Sequence, residues 1–163
     1  MLFLALLDQV PFFWDFTSEE KALFAANENF FATFSDKEYL ITEGEMDDDL
    51  FILIKGKVDV TTNSLPDRIL VTLDTGAVIG EISYLTKRKR ATNIIANGDA
   101  IAFRINRETL EKEHVESSLI AKISDQLIEI LVRRLEETNQ ALATQKETNA
   151  VLTQALSAKY LDK

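Results

Sequence analysis

A chain of 163 residues has the length of one domain and can bury roughly 70% of its extended surface, enough for a core of its own. Its 27 acidic residues against 18 basic ones leave a formal net charge of −9, which argues against a surface built to grip a nucleic-acid backbone but not against one small anion in a local basic pocket. No cysteine and a single histidine, His114, exclude thiol catalysis, disulfides, thiolate or His-rich metal sites and nearly every Ser/His enzyme.

The apolar start Met1–Leu7 lacks a basic n-region and is interrupted by Asp8, so it is too short for a signal sequence. No later run approaches the length of a membrane span, and a soluble, cytoplasmic protein without membrane contact is expected. From Met1 to about Phe34 the apolar residues recur at helical spacing. Within this zone Thr17-Ser18-Glu19-Glu20 predicts a helix N-terminus with a capping box, and Pro11 separates it from a first short helix.

From Tyr39 to Ile105 short β segments alternate with turn residues. Leu50–Ile54 and Val58–Val60 are predicted to pair around Lys55-Gly56-Lys57, and Arg68–Leu73 reads as a further strand. Ala91–Ala96 and Ala100–Ile105 are predicted as two strands joined by a hairpin turn at Asn97-Gly98-Asp99. All five glycines fall in this zone, and strands of this length and spacing predict a small barrel or roll.

After Gly98 neither Gly nor Pro occurs. His114, in the polar stretch Glu111–Glu116, reads as a solvent-facing helix residue. Ser117-Ser118 can cap a helix running to about Lys159, a rod of roughly 60 Å. Ile128, Leu135, Leu142, Asn149 and Leu156 fall every seven residues, accompanied by Leu131, Thr138, Gln145, Leu152 and Lys159. This is an a/d seam with one apolar row and one mixed row, as in a weak dimeric coiled coil, with Asn149 as a register-fixing polar residue. The alternative is one amphipathic helix folded back on the body.

The stretch Val78–Thr92 carries the chemistry. Gly80 lets backbone amides approach a ligand, and amides at the first turn of a short helix favour an anion. Arg90 supplies a forked, permanently charged donor suited to phosphate oxygens. Glu81 repels phosphate and fits sugar hydroxyls instead. An anion on amides and arginine with a ribose on a glutamate is the recognition pattern of a sugar phosphate.

These residues resemble the phosphate-binding cassette of the cyclic nucleotide-binding domain family. The cassette reads Ile79-Gly80-Glu81-Ile82-Ser83-Tyr84, then four residues, then Lys89-Arg90-Ala91-Thr92-Asn93-Ile94. Upstream, Ile41–Glu45 and Leu50–Val58 look like the family's glycine-marked strands, and Leu73-Asp74-Thr75-Gly76 like the turn entering the cassette. The resemblance covers about Val10 to Asn139. Within the family it is most like the sensor domains of bacterial catabolite activators (the Crp/Fnr-like group), and Val132–Asn139 is similar to the start of their long dimerisation helix.

The resemblance implies an α+β fold: N-terminal helices, an eight-stranded antiparallel β-roll in residues 1–116, and a short helix followed by a long coiled-coil helix in 117–163. It implies cAMP as ligand, with cGMP the alternative. The phosphate would lie on Arg90, Ala91 and the amides near Ser83, and the ribose on Glu81. Gly80, Ile82 and Thr92 complete the cassette, and Arg134, Thr138 and Asn139 would face the base. Asn139 stands where the catabolite activators have Ser. Lys89 replaces a common Pro, and Ala91 replaces a hydroxyl residue in some relatives and matches the cAMP-preferring pattern. The reading is a homodimeric, non-enzymatic regulatory switch with an unknown downstream partner. The family's DNA-reading helix-turn-helix would follow Lys163, so no direct DNA binding is expected. The alternative is a ligand-free dimerisation scaffold, with a Glu81–Arg90 salt bridge across an empty pocket. The run Lys87-Arg88-Lys89 reads as a solvated loop, with a nucleic-acid patch as its rival.

Overall fold

The computed structural model describes the backbone of residues 2–161 and the side chains of residues 3–154. The chain divides into two units, Met1–Ala121 and Lys122–Lys163. In the first, α1 (Leu2–Leu7) and a 3-10 turn at Pro11–Phe13 precede α2 (Ser18–Ala25). The capping box is formed as predicted: the Glu20 N–H donates to the Thr17 hydroxyl at 3.2 Å, and the Thr17 N–H donates to the Glu20 carboxylate at 2.7 Å.

Six antiparallel strands follow: β1 (Phe31–Phe34), β2 (Tyr39–Ile41), β3 (Leu50–Thr61), β4 (Val71–Asp74), β5 (Val78–Ile79) and β6 (Asn93–Ile105). They form one sheet in the order β1-β6-β3-β4, with β2 also on β6 and β5 also on β3. Between β5 and β6 lies α3 (Glu81–Thr86), and after β6 come α4 (Arg107–Lys112) and α5 (Ser117–Leu161). The mixed α/β class and the long C-terminal helix stand, but the strand count is six among the described residues rather than eight.

Part of the difference lies in two glycines. The segments predicted as separate partners around Gly56 form one strand, β3, and those predicted around Gly98 form one strand, β6. The two strands pair along most of their length, from Leu50 opposite Ile105 to Thr61 opposite Asn93. Lys57 lies opposite Asn97 and Lys55 opposite Ile101, so β6 has extra residues in a bulge where Gly56 (φ 96°) and Gly98 (φ 77°) take left-handed conformations. A Cβ on Gly56 would sit 2.5 Å from the Asp99 carbonyl oxygen, so the bulge closes only on a glycine. Positive φ here bends two long strands instead of reversing one. Three other boundaries also shift: the helical zone ends before β1, Arg68–Leu70 precedes β4 as irregular chain, and Ala91-Thr92 precedes β6.

Side-chain alternation gives β3 a buried residue on both faces from Leu50 to Ile54. On one face Ile52 lies opposite Phe103, whose ring meets Phe13, Phe24 and Phe30 at centroid distances of 5.0, 5.1 and 5.7 Å. The N-terminal helices are seated on the sheet by this aromatic cluster. On the other face Phe51 and Leu53 pack with Ile41, Ile79, Ile94 and Ala96. This second core sets Ile79, and hence the start of α3, against the first residues of β3.

His114 is exposed as expected but lies in no helix. It closes α4 in a left-handed turn, φ 51°, with its N–H on the Glu111 carbonyl. Histidine tolerates that conformation better than most side chains.

In α5, Ile128, Val132, Leu135, Leu142, Val151 and Leu152 are exposed, whereas Ile123, Leu127 and Ile130 are buried. Asn149 is also exposed. Leu156 and Lys159, predicted seam positions, lie outside the described side chains. Among the described residues no helix is long and apolar enough to cross a membrane.

Candidate ligand-binding site

The site begins with Gly80, which caps α3 in the left-handed conformation (φ 86°, ψ 9°). A Cβ here would lie 2.6 Å from the Arg90 Nη1 and 2.6 Å from the Asp49 carbonyl oxygen. Glycine is therefore required twice, once for the backbone angle and once to let a guanidinium pass behind the helix start.

Arg90 is the centre of the arrangement. Its backbone is clamped to the loop after β2: the Gly44 N–H donates to the Arg90 carbonyl at 2.9 Å, and the Arg90 N–H donates to the Glu45 carbonyl at 2.9 Å. Its guanidinium donates from Nη1 to the Gly80 carbonyl (3.2 Å) and from Nη2 to the Asp49 carbonyl (2.6 Å). The remaining edge, Nε and Nη2, faces the two carboxylate oxygens of Asp47, with Nε at 3.0 Å from Oδ2. A two-pronged carboxylate on the guanidinium fork is the geometry a phosphate would also adopt.

The burial of the pair is unequal. The Arg90 side chain is 2% exposed and the Asp47 side chain 37%. Burial alone would raise the Asp47 carboxyl, but the Arg90 hydrogen bond, the Asp49 N–H and the charges of Arg90 and Arg104 together hold it below its ordinary value of 3.8.

Asp47 is the first of three consecutive aspartates, each bound to a different arginine. Asp48 meets Arg107 at the start of α4 (3.4 Å), and Asp49 meets Arg104 on β6 (2.8 Å) and the Asn106 amide (2.6 Å). Tyr84 lies among these charges. Burial pushes its phenol up, Arg107 pulls it down and Asp48 adds to the rise. The sequence pattern names Gly80, Glu81 and Arg90 as candidates and does not name this loop. The available signal was three adjacent carboxylates beside Gly44, which need three counter-charges if the loop is to pack.

The remaining predicted residues divide. Glu81 and Ser83 are buried in α3, whereas Ile82 on the same helix is exposed. Ala91 is exposed and Thr92 half-buried, both in the irregular stretch after Arg90. Lys87, Arg88 and Lys89 are all exposed. In the second unit Thr138 and Asn139 are exposed and Arg134 is half-buried; the Thr138 hydroxyl donates to the Arg134 carbonyl at 2.7 Å, within one helix turn. Among the described residues no group of three or more His, Cys, Asp or Glu is arranged to hold a metal ion.

The family model described as "cyclic nucleotide-binding domain" matches residues 31–116, which span the sheet, α3 and Arg90. The canine cyclic nucleotide-gated channel beta-3 is 36% identical over 78 residues, 46% of this chain and 10% of the channel. A CRP-like cAMP-activated global transcriptional regulator of Mycobacterium tuberculosis is 29% identical over 106 residues, 64% of this chain and 46% of the regulator. The crystal structure of Thermus thermophilus catabolite activator protein superposes with a TM-score of 0.65 at 23% identity, covering 83% of this chain and 63% of that one. This chain thus spans about a tenth of the channel and under half of the regulator.

Proposed function

Because the chain belongs to the cyclic nucleotide-binding domain family, with the matched segment covering residues 31–116, we propose that it is a cyclic-nucleotide-binding regulatory module whose ligand is cAMP. Residues 1–116 carry the ligand site and residues 117–163 dimerise the protein. The phosphate goes to Arg90 and the stretch around Ala91 and Thr92, supported by the Gly80–Ser83 backbone, and the ribose to Glu81. Arg134, Thr138 and Asn139 recognise the base. The role is regulatory rather than catalytic, in the cytoplasm, without direct binding to DNA or membrane.

The observation that carries this reading is the buried Arg90 guanidinium. It is fixed by two backbone hydrogen bonds and two carbonyls, and its forked edge is turned to an acid. An arginine so immobilised is an anion receptor already assembled, because the entropy of ordering its long side chain is spent in folding. Titration calorimetry with cAMP, cGMP and AMP tests it. Micromolar binding of a cyclic nucleotide, about −8 kcal/mol, with AMP much weaker, is the expected result, and the order of cAMP and cGMP tests the choice of base. Silence with all three overturns the reading.

The dimer rests on the exposed apolar row Ile128, Leu135 and Leu142, spaced every seven residues along α5. Leu135→Glu with Leu142→Glu should convert a dimeric mass in solution into a monomeric one, and an unchanged mass removes the coiled coil. One observation favours a second reading, a ligand-free scaffold. Four donor contacts of Arg90 are already met within the chain, from Asp47, Asp49 and Gly80, as a structural ion pair would require.

A further inference from the structure

We propose that Asp47 is an internal competitor for the phosphate seat: its carboxylate occupies the Nε/Nη2 edge of Arg90, and a ligand phosphate must displace it, so that Asp47 sets the affinity of the site. The inference rests on the cyclic-nucleotide reading given above and adds to it a residue that determines how tightly the ligand is held.

The geometry separates a competitor from a simple counter-ion. Arg90 cannot leave, since its backbone is pinned at Gly44 and Glu45 and its guanidinium by the Gly80 and Asp49 carbonyls. Asp47 can, because its side chain is 37% exposed and withdraws into water at little desolvation cost. When it withdraws, Arg90 keeps two carbonyl acceptors, and the edge it frees has the spacing that accepts two phosphate oxygens.

The neighbouring aspartates confine the movement. Asp48 on Arg107 and Asp49 on Arg104 and Asn106 anchor the loop immediately after Asp47, so the exchange is a side-chain rotation rather than an unfolding of the loop. Neither neighbour is placed to replace Asp47, as each carboxylate already holds its own cation. A seat occupied by the chain's own carboxylate in most molecules lowers apparent affinity by the fraction of time it is free.

The test compares parent protein with Asp47→Asn and Asp47→Ser, each confirmed folded by its melting transition, in calorimetric titrations with cAMP and cGMP. Asparagine retains a hydrogen-bond acceptor for Arg90 without the charge, and serine removes the prong altogether. In parallel, the Asp47 carboxylate carbon is followed by NMR in the parent during the cAMP titration. We expect the variants to bind about tenfold more tightly than the parent, corresponding to a seat occupied about nine-tenths of the time, and the Asp47 signal to shift as ligand is added. Variants that bind where the parent is silent support the competitor still more strongly. Equal or weaker binding by the variants, or an Asp47 signal that does not move while the parent binds, overturns the competitor and leaves the ligand reading intact. Silence of parent and variants alike overturns both.

Discussion

Arg90 and the three residues before it carry the same charge in an uninterrupted run and meet opposite surroundings. Lys87, Arg88 and Lys89 are exposed, while the Arg90 side chain is 2% exposed and is met by a carboxylate and two carbonyls. In the sequence the four form one uninterrupted basic run. In the fold three stand in water, where a charge is worth little, and one stands where desolvation makes its partners count. On the proposed reading, the seat for a small anion is defined by the cation that is buried and held rather than by the number of cations nearby.

The largest effect expected from this contrast is at Arg90 itself. On the proposed function, Arg90→Ala should cost ligand binding about 2–5 kcal/mol, because Arg90 is the only buried cation among the described residues and a phosphate placed there would lose its counter-charge. Its cost to stability should be smaller than that of Asp47→Ala. Removing arginine lets the half-exposed Asp47 turn to water, whereas removing Asp47 leaves a buried guanidinium without its carboxylate. Calorimetry reads the first difference and chemical denaturation the second. If the two stability losses are reversed, the burial asymmetry does not govern the pair.

Gly80→Ala comes next. The added Cβ would press on the Arg90 Nη1 and on a backbone oxygen at 2.6 Å, at a backbone angle alanine resists. A loss of about 1–3 kcal/mol in stability is expected, with weaker binding because the guanidinium must shift. The same substitution at Gly44, at φ 90° but with nothing within 4 Å of the new Cβ, should show the backbone cost alone. The difference between the two variants isolates the close approach of Arg90.

That pair of glycines also shows what can be read from sequence. Gly80, Glu81 and Arg90 stand close together in the chain, and so does the Thr17–Glu20 capping box; local spacing suffices to find them. The Asp47–Arg90 pair joins residues 43 positions apart and leaves no periodic trace. Asn97-Gly98 is a turn signal and predicts the centre of a hairpin. The positive φ of Gly98 instead serves a bulge opposite Gly56, and only the pairing of β3 with β6 reveals that partner. β1 was hidden for a related reason: Phe30 and Phe31 continue an apolar spacing that fits a helix, while the strand depends on its register with β6, Phe31 opposite Phe103. Local chemistry was legible, and pairing at a distance was not.

The Asp47 carboxyl offers a further probe of the buried side of the comparison. Its folded value lies below the ordinary 3.8, so its ion pair contributes stability above about pH 4 and loses it as pH falls through the lower folded value. Asp47→Asn should remove that part of the acid-side slope, so the stability difference between parent and variant narrows as denaturant midpoints are compared at falling pH below about 4. A difference that stays constant on acidification would mean that folding does not favour the ionised carboxylate. The effect is modest, since the partly exposed carboxylate is screened by water.

The smallest effects belong to the exposed side. Replacing Lys87, Arg88 and Lys89 together by Ser should leave ligand affinity within about threefold at physiological salt, where charges in water are screened beyond roughly 8 Å. Stability should respond to only one of the three. Lys87 ends α3 in the left-handed conformation, φ 56°, with its N–H on the Ser83 carbonyl, a position glycine occupies at less steric cost. Lys87→Gly should therefore stabilise by up to about 1 kcal/mol, the relief of the left-handed strain less the extra freedom glycine has in the unfolded chain, while leaving cyclic-nucleotide affinity unchanged. A variant that melts higher and binds equally well would show that this lysine serves as a helix terminus and not as a ligand contact. A clear loss of affinity in either variant would extend the site from the buried arginine into the exposed run, and the contrast between the two would no longer hold.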